Sequence, residues 1–396
     1  MSQLKVNAIR SANGTGDAIT LAAASNTATA NLTQINSIPF PGDGNISHRN
    51  LMHNGAMQIA QRPELTTSDA GYGSVDRWYF YNEGDGRATI TQSTDVPSTK
   101  EFKYSYKLDV TTADTAGAGS RGHVGQWLEA RDSGVTLKGT SAAKQITVQF
   151  WVKSPKTGTH IVALSDNGAT DHSSSRFINA TYTVSTANTW EKKTVTFAGD
   201  TTGVFNTTTG RGFHVGFRLV QGSNSTSGAL ATSWADYALA NEGAGQVNVL
   251  DNTSNDFYLT GVQMELGDYA TDFEHKSYCD ELSKCQRYYY QLVPPGGVNT
   301  PIGIGVMYTT GIAIGIVDFP TTMRTNPSMV AVTGSDYFRV VTNSTNDGCD
   351  HVQTEDVGNT CCGFRLTTNL SVGSNGMAFY ARTMHASAAI GFNADL

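Results

Sequence analysis

Six segments between residues 104 and 219 alternate apolar and polar side chains or are rich in β-branched and aromatic residues, and turn-forming residues separate them. Successive side chains of a strand point to opposite faces, so this two-residue period indicates strands with one buried face. Short strands joined by tight turns are typical of a two-sheet antiparallel sandwich, and we predict one of jelly-roll type over residues 50–275. The six segments are residues 104–110, 145–152, 160–164, 177–184, 190–197 and 212–219.

A second series of strand-like segments predicts a compact C-terminal β-sandwich over residues 294–396. We expect its Gly-rich apolar run, residues 302–317, to be fully buried, with a subunit interface as one place for it. We expect the polar stretch 343–360 to form long loops at the tip of the domain. The strand-like segments are residues 302–306, 311–319, 329–333, 337–342, 362–367, 376–382 and 388–392.

The stretch between the two predicted sandwiches has a helical period. Ser277 is a suitable N-cap, acidic residues follow it, and Pro294 ends the pattern. The sequence therefore predicts a short linking helix within residues 276–293. Its cluster at 287–290 is either a contact for a partner or ligand or, as we favour, a face packed between two sheets or between subunits. The residues at helical spacing are Tyr278, Leu282, Cys285 and Tyr289.

Residues 1–49 form a separate segment with two strand-like stretches and a turn between them. A piece this small buries too little apolar surface to fold alone. Two alternatives remain: a flexible tail, or an attachment segment that becomes ordered by pairing with identical copies or with a docking protein.

Charge and hydropathy exclude several classes of function. Charged residues make up 15% of the 396 residues and the formal net charge is −7, so a nucleic-acid partner has no electrostatic support. Apolar runs are too short to span a membrane, and the N-terminus lacks the pattern of a secretory signal. We therefore expect no nucleic-acid binding and no membrane insertion.

The five cysteines follow no known pairing or metal pattern. Cys279 and Cys285 lie on one predicted helix, too far apart to form a disulfide, and the spacing of the others matches no zinc site. We expect buried free thiols and synthesis in a reducing cytoplasm. The sequence predicts neither a cofactor nor a metal. The remaining cysteines are Cys349, Cys361 and Cys362.

Aromatic residues in loops are the candidate ligand contacts. Trp234 and Tyr237 lie in a long Gly/Ser/Asn-rich region, and Trp127 lies in a short polar one. Exposed aromatic rings can stack on a sugar. Trp234 could equally anchor its loop on the sheet, and for Trp127 we favour a packing role over ligand contact. The other three tryptophans read as core or sandwich-edge residues: Trp78, Trp151 and Trp190.

Catalytic motifs are missing from the sequence, so we expect no enzyme activity. Glu129 and Asp132 could serve glycoside hydrolysis only if the fold set them across a cleft, and surface positions are the simpler interpretation. No short repeat indicates the β-helix of polysaccharide-degrading tailspikes. A depolymerase is kept as an alternative.

Three stretches resemble one family of proteins. Residues 263–289 resemble a junction found in phage and prophage tail-fibre or minor tail proteins. Residues 50–62, followed by 76–78, resemble the start of that family's carbohydrate-binding-module-like jelly roll, and residues 394–396 resemble the close of its terminal domain. The resemblance implies a virion structural protein.

Jelly rolls of the kind that this resemblance implies often hold a structural calcium near their first and last strands. Asn54, Gln58, Asp256 and Glu265 could supply oxygen ligands. Because no dense acidic loop is present, we assign no metal.

The resemblance implies a homotrimeric tail fibre, made in the host cytoplasm and located in the virion tail. Residues 1–49 would bind other tail proteins, and the later domains would bind a host cell-surface polysaccharide, with several copies offsetting weak single-site affinity. The alternative is a structural adaptor or decoration protein that has kept the fold and binds no glycan.

Overall fold

The computed structural model describes residues 48–166, 175–203, 209–343, 345–371 and 373–396, together with four short strands before residue 48. The chain divides into two compact units, Met1–Ser47 and His48–Leu396. In the first unit, β1 (Ala8–Arg10) pairs antiparallel with β2 (Asp17–Thr20), and β3 (Gln34–Ile35) pairs with β4 (Ile38–Pro39). The predicted turn between the two strand-like stretches lies outside the described residues.

The first part of the second unit is an antiparallel sandwich, as predicted. One sheet has the order β16-β13-β12-β15-β10-β7-β6, and the other has the order β14-β11-β17-β9-β8-β5. The strands are β5 (Leu65–Ser68), β6 (Ala70–Tyr72), β7 (Tyr79–Asn82), β8 (Arg87–Ser93), β9 (Ser105–Thr112), β10 (Arg121–Glu129), β11 (Ile146–Lys153), β12 (Gly158–Asp166), β13 (Arg176–Val184), β14 (Glu191–Phe197), β15 (Arg211–Gln221), β16 (Ala235–Asp236) and β17 (Asp256–Leu266). Two one-turn helices, α1 (Ala130–Ser133) and α2 (Ser223–Thr226), lie in its connections.

The core of this sandwich lies between the inner faces of its two sheets. Phe150 and Phe217 meet there at 4.8 Å between ring centroids, and Trp78 is fully buried beside Phe217. Each such ring contributes roughly 1.5–3 kcal/mol on burial. Trp151 and Trp190 are half-buried, and the Trp190 indole N–H donates to Asp95. The prediction of core or edge positions for these tryptophans therefore holds.

The linking helix α3 (Tyr278–Gln286) begins as predicted. The Ser277 hydroxyl accepts a hydrogen bond from the Asp280 amide at 3.1 Å, which satisfies one free N–H of the first turn. The helix ends earlier than the pattern indicates, because Tyr289 is not on it. Residues 289–293 form β18 (Tyr289–Val293), which pairs with β27 (Ala389–Asn393), so sheet pairing prevails over the helical spacing.

The C-terminal part is a second sandwich, again as predicted. A three-stranded sheet, β18-β27-β21, packs on a seven-stranded sheet, β23-β22-β26-β19-β20-β25-β24. The remaining strands are β19 (Pro301–Thr309), β20 (Ile312–Asp318), β21 (Ser328–Val332), β22 (Phe338–Val341), β23 (Asn346–Cys349), β24 (His351–Val357), β25 (Cys361–Thr367) and β26 (Ala378–Thr383).

Two expectations for this sandwich are wrong. The stretch 343–360 is not a long loop, because β23 and β24 lie within it and pair with β22 and β25. The sequence pattern did not predict these strands because their outer faces are polar. Besides Cys349, Val352 is their main apolar residue that faces the core. The run 302–317 is not fully buried: Met307 and Ala313 face the core, but Ile304 is 72% exposed.

The two sandwiches meet through the cluster at 287–290. Arg287 donates two hydrogen bonds to the fully buried Glu129, at 2.6 and 3.0 Å, and the Tyr288 hydroxyl donates to the same carboxylate at 2.8 Å. The Arg62 guanidinium lies 3.7 Å from the centre of the Tyr289 ring. The cluster therefore packs between sheets, the interpretation that the sequence favoured.

The five thiols are free, and three of them are buried; Cys279 is exposed and Cys361 half-buried. Among the described residues, none of the helices is both long and apolar enough to cross a membrane.

Candidate functional site

Trp234 lies against the first sandwich instead of standing out from its loop. The indole N–H donates to the Ala198 carbonyl oxygen at 2.6 Å, and the ring centre lies 6.0 Å from that of Phe213. It packs against the hydrophobic core and is partly buried. This is the geometry of a loop anchor.

Tyr237 is held at the edge of the same sheet by polar contacts. Its side chain is 40% exposed, and its hydroxyl accepts a hydrogen bond from Arg121 at 2.8 Å. The same hydroxyl donates to Glu242 at 3.4 Å, while the ring lies against Phe177. Trp234 and Tyr237 therefore do not form one stacking surface.

Trp127 belongs to a continuous row of rings. It is half-buried on β10, and its centre lies 4.7 Å from that of His214. His214 lies 5.0 Å from His123, which lies 5.3 Å from Tyr81, and Tyr79 follows at 6.5 Å. We call these five side chains the aromatic band.

Strand register explains why these rings meet. His123 pairs with Tyr81 of β7, and Trp127 pairs with His214 of β15, so their side chains share the outer face of the seven-stranded sheet. Alternate residues such as Val124 and Leu128 face the core. The band thus extends over three adjacent strands, β7, β10 and β15.

Two glycines make the centre of the band possible. Gly125 and Gly216 face each other across β10 and β15. A Cβ on Gly125 would lie 2.4 Å from the His214 imidazole, and one on Gly216 would lie 2.8 Å from it. Side chains at these positions would displace His214, so the glycines allow the imidazole to lie flat over the sheet.

Charged groups border the band on two sides. Arg121 and Glu83 form an ion pair at one end, with a second hydrogen bond of 2.8 Å, and the Tyr81 hydroxyl donates to Glu83. At the other end the Arg211 guanidinium lies 5.1 Å from the centre of the Trp127 ring, and Arg211 is exposed. Both ends can therefore donate hydrogen bonds to a ligand.

The environment keeps the His123 and Tyr81 rings uncharged at neutral pH. Burial, followed by the nearby His214 and Arg218, lowers the pKa of His123 well below its ordinary value. Burial, with the hydrogen bond to Glu83, raises the pKa of Tyr81. His123 is thus a neutral ring. The half-buried Tyr79, Tyr81, His123 and Trp127 form the accessible part of the band, and His214, which is 6% exposed, is buried between them.

The carboxylates considered for hydrolysis do not form a pair across a cleft. Glu129 is fully buried and bound by Arg287 and Tyr288. Burial would raise its pKa, but these hydrogen bonds hold the pKa below its ordinary value, so Glu129 is an anion of the junction. Asp132 is exposed on α1.

The oxygen atoms considered for calcium are largely occupied by protein partners. The Asn54 side-chain oxygen accepts from the Ile59 amide at 2.9 Å, and Glu265 accepts from the Thr271 amide. The Lys276 ammonium donates to the Asn50 carbonyl oxygen at 2.8 Å. Within the described ranges, His, Cys, Asp and Glu form no group suited to a metal ion.

Sequence reasoning found Trp127 but missed its neighbours in the band. Tyr79, Tyr81 and His123 lie on strands whose outward faces carry rings, and the alternation from Arg121 to Trp127 was the available signal. The contribution of His214 depends on the pairing of β10 with β15, which the sequence does not specify.

The sequence matches no protein-family model and no curated protein. Among solved structures, the chain is similar to the enzymatically active domain of tailspike protein 4 of bacteriophage CBA120, at 14% identity and a TM-score of 0.32. That likeness covers 55% of this chain and 21% of the tailspike chain, so the chain spans about a fifth of it.

Two further similar structures are a putative sugar binding protein and a carbohydrate-binding module. The first, from Bacteroides thetaiotaomicron, is 12% identical with a TM-score of 0.33 and covers 55% of this chain and 100% of that one. The second, a family 11 module of a Clostridium thermocellum cellulosomal cellulase, is 11% identical with a TM-score of 0.28 and covers 55% and 99%. Likenesses this weak do not indicate what the present chain binds.

Proposed function

We propose that the chain binds a glycan and that sugar rings stack on the aromatic band. The observation that carries the proposal is the unbroken row of rings across β7, β10 and β15, with hydrogen-bonding groups at both ends. The apolar face of a pyranose packs on aromatic rings, and Arg121, Glu83 and Arg211 suit its hydroxyl or acidic substituents.

The placement of the band favours binding without large rearrangement. Its rings stand on paired strands, and His214 is fixed between Trp127 and His123. Rigid side chains lose little conformational entropy when a ligand binds. Three neighbouring strands span roughly 10 Å, so a glycan that crosses the band contacts it through more than one sugar unit.

The proposal extends to the virion. The motifs at 50–62, 263–289 and 394–396 support a homotrimeric phage tail fibre, with residues 1–49 docking on other tail proteins and the band binding a host-surface polysaccharide. Three copies acting together would raise the overall affinity of weak single sites. We propose no catalytic step, since Glu129 is bound at the junction.

Affinity electrophoresis tests the glycan proposal directly. The full chain is run through gels containing bacterial lipopolysaccharide, a neutral β-glucan or an acidic alginate, and retardation reports binding. We expect at least one gel to retard the chain, and we expect Trp127→Ala and Tyr81→Ala each to weaken that retention about tenfold, equivalent to about 1.4 kcal/mol.

Tyr278→Ala is the matched control, since Tyr278 is 56% exposed on α3 and outside the band. It should bind like the unmodified chain. Equal retention of the band variants, or equal weakening in the control, would show that the ligand does not stack on the band. Reducing-end measurements on the same mixtures test the expectation that no glycosidic bond is cleaved.

A further inference from the structure

The seven-stranded sheet of the second sandwich carries an apolar outer face. Ile304 of β19 lies directly between Ile316 of β20 and Tyr380 of β26, with all three side chains pointing away from the core. Their exposed fractions are 72%, 65% and 36%. In an antiparallel sheet with one solvated face, outward positions are normally polar, so these residues are unusual.

The apolar surface continues along the strands. Val306 pairs with Ile314 and Ala378 one step away, and Tyr308 extends the row, with Val306 49% and Tyr308 62% exposed. If each large side chain offers roughly 200 Å², the five most exposed ones present on the order of 550 Å². This area is near the upper end for an exposed apolar patch on a monomeric protein. Together with its polar rim the face approaches the roughly 800 Å² that one partner buries in a stable complex.

Charged side chains flank the apolar centre on both sides. Arg339 and Arg382 are adjacent on β22 and β26, on one side of the apolar centre. On the other side the exposed Asp318 ends β20, while Glu355 of β24 is paired with Arg365 of β25. Arg382 pairs with Pro301 at the start of β19, the end of the sheet at which Asp318 also lies.

This arrangement is complementary to itself. Rotation about an axis parallel to the strands keeps the position along the strands and brings Arg382 of one copy next to Asp318 of another. The apolar centres then meet at the axis, whether two or three copies close the ring. A partner that buries apolar surface and matches charge at the rim satisfies both features of the face.

We propose that copies of this chain associate through the outer face of β26, β19 and β20, with Arg382 of one copy beside Asp318 of the next. This inference is independent of the glycan proposal, since the aromatic band lies on the other sandwich. If the glycan proposal or the self-association proposal fails its test, the other is unaffected. It supplies the surface that the proposed homotrimer needs.

The test is the absolute mass of the full chain, measured by light scattering after size exclusion. For the unmodified protein we expect a multiple of 42.2 kDa, with three copies for the tail-fibre proposal. Ile304→Glu combined with Ile316→Glu should give the mass of one copy. Both side chains are exposed, so the variant should keep the β-sheet circular dichroism of the unmodified chain.

Val330→Glu is the matched control, because Val330 is 50% exposed on β21 of the opposite sheet. It should leave the mass unchanged. A charge exchange adds a second test: Arg382→Glu should shift the mass toward one copy, and adding Asp318→Arg should restore it. A monomeric unmodified chain, or an unchanged mass for the Ile304/Ile316 variant, would overturn the proposal.

Discussion

His123 is a histidine placed where its charge would be costly. Burial and the neighbouring His214 and Arg218 disfavour its protonated form, so the band keeps a neutral ring at its centre. Protonation of His123 is thus unfavourable in the folded chain, so acid should destabilise this part of the band. Two histidines elsewhere, His53 and His160, also have pKa values lowered by burial.

These lowered pKa values predict how stability depends on pH. The unfolded chain binds a proton near the ordinary histidine pKa of about 6.5, while the folded chain resists it, so the free energy of unfolding should fall as pH drops from about 7 to about 5.5. Asp76, whose pKa burial raises to about 6, acts in the opposite direction. Urea titrations of the unmodified chain and of His123→Gln measure the difference. The decline should be smaller in the variant, and an identical decline would contradict the account.

The link between the two sandwiches is a buried cluster of three residues: Glu129, Arg287 and Tyr288. Arg287, just after α3, reaches Glu129 at the end of β10, and Tyr288 adds a third hydrogen bond. Glu129 is inaccessible to solvent, so its charge depends on these partners. The pair fixes how α3 enters the second sandwich.

Removing Arg287 should leave the buried Glu129 carboxylate with only the Tyr288 hydrogen bond and the exposed Arg131, 3.5 Å away. Arg287→Ala is expected to lower the free energy of unfolding by about 3 kcal/mol, because Glu129 loses two hydrogen bonds without regaining water. Arg365→Ala is the control, since its partner Glu355 is partly exposed and such pairs are worth about 0–1 kcal/mol. Denaturant unfolding measures both, and equal losses would show that the junction pair has no special role.

The alternation of apolar and polar residues predicted the strands well but did not predict the outer faces of the sheets. Each of the six segments in the first sandwich became a strand, from β9 to β15, because one face of each packs on a core that alternation reveals. The aromatic band escaped prediction because its rings come from strands far apart in sequence, and their shared face depends on register. The run 302–317 was wrongly predicted to be fully buried because both faces of β19 and β20 carry apolar residues, although only one face packs on the core.

The second unit combines two sandwiches with different outer surfaces. The first carries a row of aromatic and imidazole rings with polar borders, and the second carries a broad exposed face of isoleucine, valine and tyrosine side chains flanked by charged residues. A row of rings suits sugars, and a broad apolar face suits another protein surface. This division supports a chain that self-associates through one sandwich and binds its ligand through the other.

The most direct test of the glycan proposal is ¹⁹F NMR on the chain labelled with 5-fluorotryptophan. The five tryptophans give five resonances, which single Trp→Phe variants assign. On addition of the polysaccharide that retards the chain in gels, we predict that the Trp127 resonance shifts while that of the fully buried Trp78 stays in place. A shift confined to Trp234, or no shift at Trp127, would contradict a ligand site on the aromatic band.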